Sequence, residues 1–381
     1  MWNDPNDPND PNDPNDPNDP NDPNDPNDSN DSNDSNVLIV RVDPLGQRWQ
    51  THDPFLFCVH HVDRYPAGND QLGPKASLAG RDIGQDFEGR DGWRMYHGDV
   101  VPGFPQHPHR GFETVTIVRK GYIDHSDSLG ATARFGMGDV QWLTAGSGVV
   151  HSEMFPLLDP GGPNTLELFQ VWLNLPAKSK MVPAYFTMFW NDRIPRRFYA
   201  DANGRKVEVT VIAGALSDVE PLPPPPHSWG ADPGADLAIW SIAMEEGSTW
   251  TAPPARDGRT VRTLHQFAGK GLTVAGRDIP GPAAVQVKAD ESIAIEANRG
   301  PIEILVLQGR PIGEPVAQYG PFVMNTRTEL EQAFQDYRRT QFGGWPFAAN
   351  DPVHPREQGR FAKHADGRVE YAEPRKEHVT K

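Results

Sequence analysis

His107-Pro-His-Arg-Gly-Phe-Glu113 and Gly146-Ser-Gly-Val-Val-His-Ser-Glu153 bracket the segment from which the rest of the chain is read. Between them, Thr114-Val-Thr-Ile-Val118 and Gly136-Met-Gly-Asp-Val-Gln-Trp-Leu143 have the β-branched and aromatic texture of strands broken by glycine. Successive side chains on a strand point to opposite faces, so residues two apart share a face. His107 and His109 therefore point the same way, and so do His151 and Glu153. Laid side by side with those faces inward, the two strands bring three imidazoles and a carboxylate together inside one barrel. Such donors suit a first-row metal ion, and four protein ligands leave an octahedral ion two open positions.

Alternation carried through the first motif also puts Glu113 on the histidine face, while Arg110 points away and is assigned a structural part. Gly121 and Gly138 stand where tight turns need a permissive backbone, and Gly146 and Gly148 let the chain bend before His151. Asp124 and His125 are expected in a surface turn, with the orientation of a ligand from behind as the alternative. Gln170 and Trp172 share one face of a strand and are assigned to barrel packing, the alternative being contact with a flat organic ligand. In Phe55-Leu-Phe-Cys-Val-His-His-Val62, His60 and His61 are adjacent, must face opposite ways, and are read as ordinary strand histidines. Residues 64–94 are turn-rich without a clear period and read as a surface excursion, after which His97 could approach the site.

Further out, Val37-Leu-Ile-Val-Arg-Val42 is read as the first strand of this barrel. Lys206-Val-Glu-Val-Thr-Val211, Ser292-Ile-Ala-Ile-Glu-Ala297 and Ile302-Glu-Ile-Leu-Val-Leu307 read as half-buried strands of a second β-rich unit over residues 197–315. Its His227 and His265 have no partner two residues away, so it is expected to be metal-free. Pro223-Pro-Pro-Pro226 is a loop of polyproline character. Thr328 with Glu331 reads as the capping box of a helix whose apolar stripe is Leu330, Ala333, Phe334 and Tyr337, ending at Gly343-Gly344. Trp345 to Lys381 reads as irregular and polar.

The net charge of −16 belongs mostly to one end of the chain. Residues 3–26 are eight copies of Asn-Asp-Pro, followed by three of Asn-Asp-Ser, and these hold eleven aspartates without one basic residue. Setting them aside leaves 41 acidic against 36 basic groups, a net of −5 for the body. The repeat has no apolar side chain to offset the entropy of ordering, so residues 1–36 are read as a disordered, extended tail. A mildly acidic body without a basic cluster argues against direct nucleic-acid binding. The single cysteine, Cys58, rules out an internal disulfide and suits a reducing compartment. No apolar run reaches the length of a membrane span and the N-terminus carries no signal pattern, so a cytoplasmic location is expected. Nothing marks an interface, and a monomer is expected.

His107-Pro-His-Arg-Gly-Phe-Glu-Thr-Val115, Asp124-His-Ser-Asp-Ser-Leu-Gly130 and Gly138-Asp-Val-Gln-Trp-Leu-Thr-Ala-Gly-Ser-Gly-Val-Val-His-Ser-Glu-Met154 resemble the pirin family of cupins. Leu168-Phe-Gln-Val-Trp-Leu-Asn-Leu-Pro-Ala-Lys178 and Gln318-Tyr-Gly-Pro-Phe-Val-Met-Asn-Thr326 resemble its later blocks, so the resemblance runs with gaps from about residue 37 to the end. It implies an all-β bicupin: two cupin-type barrels followed by a C-terminal helix. On that scheme residues 37–196 form the metal-binding barrel with 64–94 as an insertion, 197–315 the metal-free barrel, and 316–381 the helix and an extended tail. The resemblance places the metal on His107, His109, His151 and Glu153, leaving Glu113 as second choice. It implies iron(II), with manganese, cobalt, nickel or copper as substitutes, and dioxygenation of quercetin-like flavonols, Glu153 taking the 3-hydroxyl proton. The alternative it carries is a non-catalytic redox- or metal-sensing module acting on a regulatory protein partner. A sugar isomerase is disfavoured, because no basic cluster stands near the histidine pairs to cradle a phosphate.

Overall fold

Residues 38–46, 48–256 and 258–373 are described by the structure, a computed structural model; the Asn-Asp-Pro and Asn-Asp-Ser repeats lie outside the described residues. Short β-branched and aromatic runs between turn residues form antiparallel strands arranged as two barrels. In the first barrel one sheet runs Tyr185–Phe189, Val140–Thr144, Phe112–Lys120, Asn164–Asn174, Phe55–Tyr65 and Arg48–Trp49. The facing sheet runs Val369–Tyr371, Phe361–Lys363, Thr132–Gly136, Tyr122–Asp127, Val149–Met154 and Gly103–His109. The second barrel pairs a seven-stranded sheet with a four-stranded one. Among the described residues no helix is long and apolar enough to cross a membrane.

The strand Ile302–Gly309 shows why the sequence has continuous apolar runs here. Ile302, Ile304 and Val306 point into the second barrel, where Val209, Trp240, Ile242 and Leu264 fill the interior. Leu305 and Leu307 point the other way and meet Val115, Trp142 and Phe169 on the outer face of the first barrel. Both faces of this strand are thus closed off from water, and each large apolar side chain buried there contributes roughly 1.5–3 kcal/mol. The barrels are welded by core, not tethered by a linker.

Several segments depart from the sequence reading. The expected opening strand of the first barrel runs as Ile39–Pro44 and pairs antiparallel with Ala283–Lys288, in the sheet of the second barrel. Its alternation was legible, but alternation does not name the partner strand, and Ile39 buries in the second core. The capping box sits two residues earlier than expected. The helix is Arg327–Thr340, and Thr326 is its N-cap: its hydroxyl accepts from the Glu329 backbone amide at 3.2 Å and donates to the Glu329 carboxylate at 3.0 Å. Both Thr-x-x-Glu frames fit the pattern, and the extended backbone at Thr326 selects the first. Leu330 and Ala333 are buried against Val150, Phe322 and Phe342, so the stripe packs on the first barrel.

The C-terminal stretch read as irregular supplies Phe361–Lys363 and Val369–Tyr371, which extend the sheet from Thr132–Gly136. Three-residue strands are too short for periodicity to show. A buried pair holds the stretch that leads to them: Arg134 meets Asp124 through two 2.7 Å hydrogen bonds and donates to the carbonyls of His354, Pro355 and Gln358. Residues 64–94 are likewise tied down. The Arg81 guanidinium lies 3.3 Å from the Trp93 ring centroid and bonds Asp86 at 2.9 Å.

Candidate metal centre

The strands Gly103–His109 and Val149–Met154 pair with His107 directly opposite His151. An irregularity between Phe104 and His107 sets two residues of one strand against one of the other. The expected face-sharing follows, and the ligand nitrogens of His107, His109 and His151 lie within 4.8 Å of one another. Ring centroids are 4.8 Å apart for His107 and His109, and 4.9 Å for His109 and His151. Arg110 turns outward as expected, donating to the Ser147 carbonyl at 2.7 Å and to Asp336 at 2.9 Å.

These imidazoles fit a cation. His107 Nδ1 lies 2.9 Å from the Pro105 carbonyl, which fixes its proton there and leaves Nε2 bare. His109 Nδ1 and both nitrogens of His151 are buried without a hydrogen-bond partner, a costly arrangement unless a ligand completes it. Burial pushes His107 down to about 4, with the Pro105 carbonyl opposing, and pushes His109 and His151 well below the ordinary value. All three are neutral at physiological pH, the form that coordinates. A neutral nitrogen set of this kind accommodates several first-row ions and does not choose among them.

Glu153 stands outside that histidine cluster. Its carboxylate accepts 2.8 Å from Gln170 Nε2 and 3.5 Å from the Thr116 hydroxyl. Burial raises its affinity for a proton, against the pull of His125, Gln170 and Thr116.

Glu113 corrects the simple alternation. Gly111, at φ +85°, breaks the strand between His109 and Phe112, and the chain crosses there from one sheet to the other. Glu113 lands on the outer face, where it accepts 2.6 Å from Thr144 and 2.7 Å from Ser228, a residue of the second barrel. It cannot reach the histidines. The glycine in the motif was the available signal.

Asp124 and His125 are fully buried in the strand Tyr122–Asp127, not in a surface turn. Asp124 serves the Arg134 pair, whereas His125 faces inward, opposite Glu153 in register, 5.5 Å from the His151 ring and 3.2 Å from Asp127. His60 and His61 do face opposite ways: His60 stacks on Phe169 at 4.4 Å, and His61 enters the barrel. His97 is exposed, with Nδ1 2.7 Å from the Gly84 carbonyl. In the second barrel His227 is exposed and His265 is buried, stacked on Trp49 at 5.0 Å.

Beside the triad opens a cavity of about 550 Å³ lined by Phe57, His61, Tyr96, Phe104, Gln170 and Trp172 among others. Trp172 lies 5.4 Å from His109 and Phe104 lies 6.2 Å from His107, ring centre to ring centre, so the cavity borders the triad. Gln170 and Trp172, assigned to packing, are cavity walls.

Residues 44–173 match the Pirin family and residues 239–343 the Pirin C-terminal cupin domain. A Pseudomonas aeruginosa protein named "Putative quercetin 2,3-dioxygenase" is 38% identical over 242 residues, spanning 63% of this chain and 79% of the relative. A "Pirin-like protein" of Caulobacter vibrioides is 38% identical over 244 residues, spanning 64% of this chain and 82% of its own. Among solved structures, a quercetin 2,3-dioxygenase from Acinetobacter baumannii superposes with TM-score 0.63 at 24% identity, covering 80% of this chain and 98% of that one.

Proposed function

This chain belongs to the pirin family, and on that premise we propose that it is a metal-dependent dioxygenase that opens the central ring of quercetin-like flavonols. Iron(II) is the metal expected from the family, with manganese, cobalt, nickel or copper as substitutes. The observation that carries the proposal is the convergence of His107, His109 and His151, all neutral, next to Phe104 and Trp172, which line a cavity of about 550 Å³. That volume is within the usual range for a small-molecule site. The name borne by the Pseudomonas relative supports the substrate class.

In this reading the three histidines hold the ion and Glu153 completes the set. A divalent first-row ion bound there would supply Lewis acidity toward the vicinal oxygens of a flavonol and a means of engaging dioxygen. Phe57 and Trp172, in edge-to-face contact with centroids 5.5 Å apart, would together form one wall against the rings of the substrate. Glu153 would receive the 3-hydroxyl proton, and its burial equips it for that by raising its basicity. Gln170, donating at 2.8 Å, would hold one carboxylate oxygen so that the other faces the substrate. The outcome is ring opening with loss of carbon monoxide.

The test is direct. Protein loaded with iron, given quercetin in air, should bleach the flavonol absorbance and release carbon monoxide, and His107→Ala should lose both that activity and the metal. Fully metallated protein that leaves quercetin untouched would overturn the dioxygenase assignment and favour the metal-sensing module.

A further inference from the structure

Asp63, Tyr96 and His61, the last two lining the cavity, form a chain of hydrogen bonds that fixes a proton. Tyr96 donates its hydroxyl to Asp63 Oδ2 at 2.6 Å. His61 Nδ1 lies 2.8 Å from the same tyrosine oxygen. A phenol has one proton, and here Asp63 takes it; what remains on the oxygen is acceptor capacity. His61 must therefore carry its proton on Nδ1, and its Nε2 is left as a lone pair. The Arg94 guanidinium, 3.1 Å from Asp63 Oδ1, holds that carboxylate in the accepting state. Burial, the larger influence, lifts the Asp63 carboxyl somewhat, and Tyr96 and Arg94 pull against it.

Nε2 has no protein partner among the hydrogen bonds of His61, and His61 lines the cavity with Phe57, Phe104 and Trp172. Burial pushes the imidazole down to about 4, so it is neutral and can accept. Arg94 ends the segment that the sequence offered as a surface excursion, and Tyr96 follows two residues later. Phe87 of that segment also lines the cavity. The segment is thus part of the wall that meets a ligand.

Resting on the flavonol assignment above, we infer that His61 is a specificity-determining residue: its Nε2 accepts a hydrogen bond from a phenolic hydroxyl on the part of the ligand remote from the metal, and Tyr96 and Asp63 are the residues that position it. The site thereby selects polyhydroxylated rings over bare ones. Once a bound ligand displaces the water around His61, an acceptor left unmet there disfavours a ligand that brings no donor.

Two ligands and two variants test this by binding, with the metal-loaded protein under nitrogen, so that no flavonol is consumed, and quenching of tryptophan fluorescence as the readout. The probes are quercetin, which carries hydroxyls on both outer rings, and 3-hydroxyflavone, which has only the metal-proximal one. His61→Phe keeps an aromatic ring and removes the acceptor; it should weaken quercetin roughly 10-fold and leave 3-hydroxyflavone within about 2-fold. Tyr96→Phe should weaken quercetin by a smaller factor, because His61 can then adopt either tautomer. Equal losses for both probes, or none for quercetin, would overturn the inference while leaving the flavonol assignment intact. Failure of the wild-type protein to bind either probe would overturn both. Independently, long-range proton–nitrogen spectra of histidine-labelled protein should show His61 protonated on Nδ1 in the wild type and mixed in Tyr96→Phe; an Nε2-protonated His61 in the wild type would refute the inference without any ligand.

Discussion

His107 and His151 face each other across two neighbouring antiparallel strands, with ring centroids 4.4 Å apart and no hydrogen bond between them. Their closeness is tolerable only because burial keeps both neutral. A cation between them would satisfy nitrogens that otherwise have nothing.

The first expectation concerns that cation. Protein purified without chelator should carry about one metal ion per chain, measured by elemental analysis. Stripping it should lower the melting temperature, since an ion present at 100 times its Kd stabilises by about 2.7 kcal/mol. His151→Ala should melt at one temperature with and without chelator. Equal shifts in the two proteins would place the stabilising ion elsewhere.

The second concerns pH. Burial between the barrels pushes the Glu113 carboxyl up to about 7, against hydrogen bonds from Thr144, Ser228 and the Trp229 amide. The folded state then binds the proton more tightly than the unfolded chain, whose ordinary value is 4.5. Its contribution to stability is greatest below that lower value and is lost as pH rises through about 7. Urea unfolding should show Glu113→Gln gaining on the wild type, by roughly 1–3 kcal/mol, between about pH 5 and about pH 8. A difference that does not change with pH would contradict this.

Arg134→Leu should be severe. It leaves Asp124 as an uncompensated buried charge, and breaking such a pair from one side costs about 3–5 kcal/mol. It also frees the carbonyls of His354, Pro355 and Gln358. Limited proteolysis should therefore cut the variant near residues 354–358 well before the wild type.

Gln170→Leu probes the proposed base. With Gln170 gone, Glu153 keeps only the 3.5 Å contact from Thr116. Loss of a residue that orients a catalytic or ligating group commonly costs about 10–100-fold, so kcat for flavonol bleaching should fall by that order while the fold, followed by circular dichroism, is unchanged. Wild-type turnover in this variant would remove Gln170 from the machinery.

The histidine triad was legible because period-two spacing is a local property: two residues apart on a strand is one face, whatever the partner. Glu113 was misplaced because the same rule was carried across Gly111, where a positive φ ends its validity. Cross-sheet relations left less trace. Nothing in the spacing of His61 and Tyr96, 35 residues apart, announces a 2.8 Å contact. His125 was expected in a surface turn, yet it is buried, and Asp127 two residues on shares its face and lies 3.2 Å from it. The short strands near the C-terminus take their order from a sheet edge and from the Arg134 clamp rather than from an apolar pattern of their own. Most strands were assigned to the right barrel from the sequence; the leading one, Ile39–Pro44, was not.

Ile39–Pro44 makes that last point consequential. Chain order and spatial order part company there, since the strand leading the described chain borders the sheet of the later barrel. Trimming up to residue 45 would spare every proposed ligand and still bare the edge of Ala283–Lys288. An unprotected edge invites a strand from another molecule, so such a truncation should self-associate, and anyone shortening this protein for crystallisation should cut ahead of residue 38.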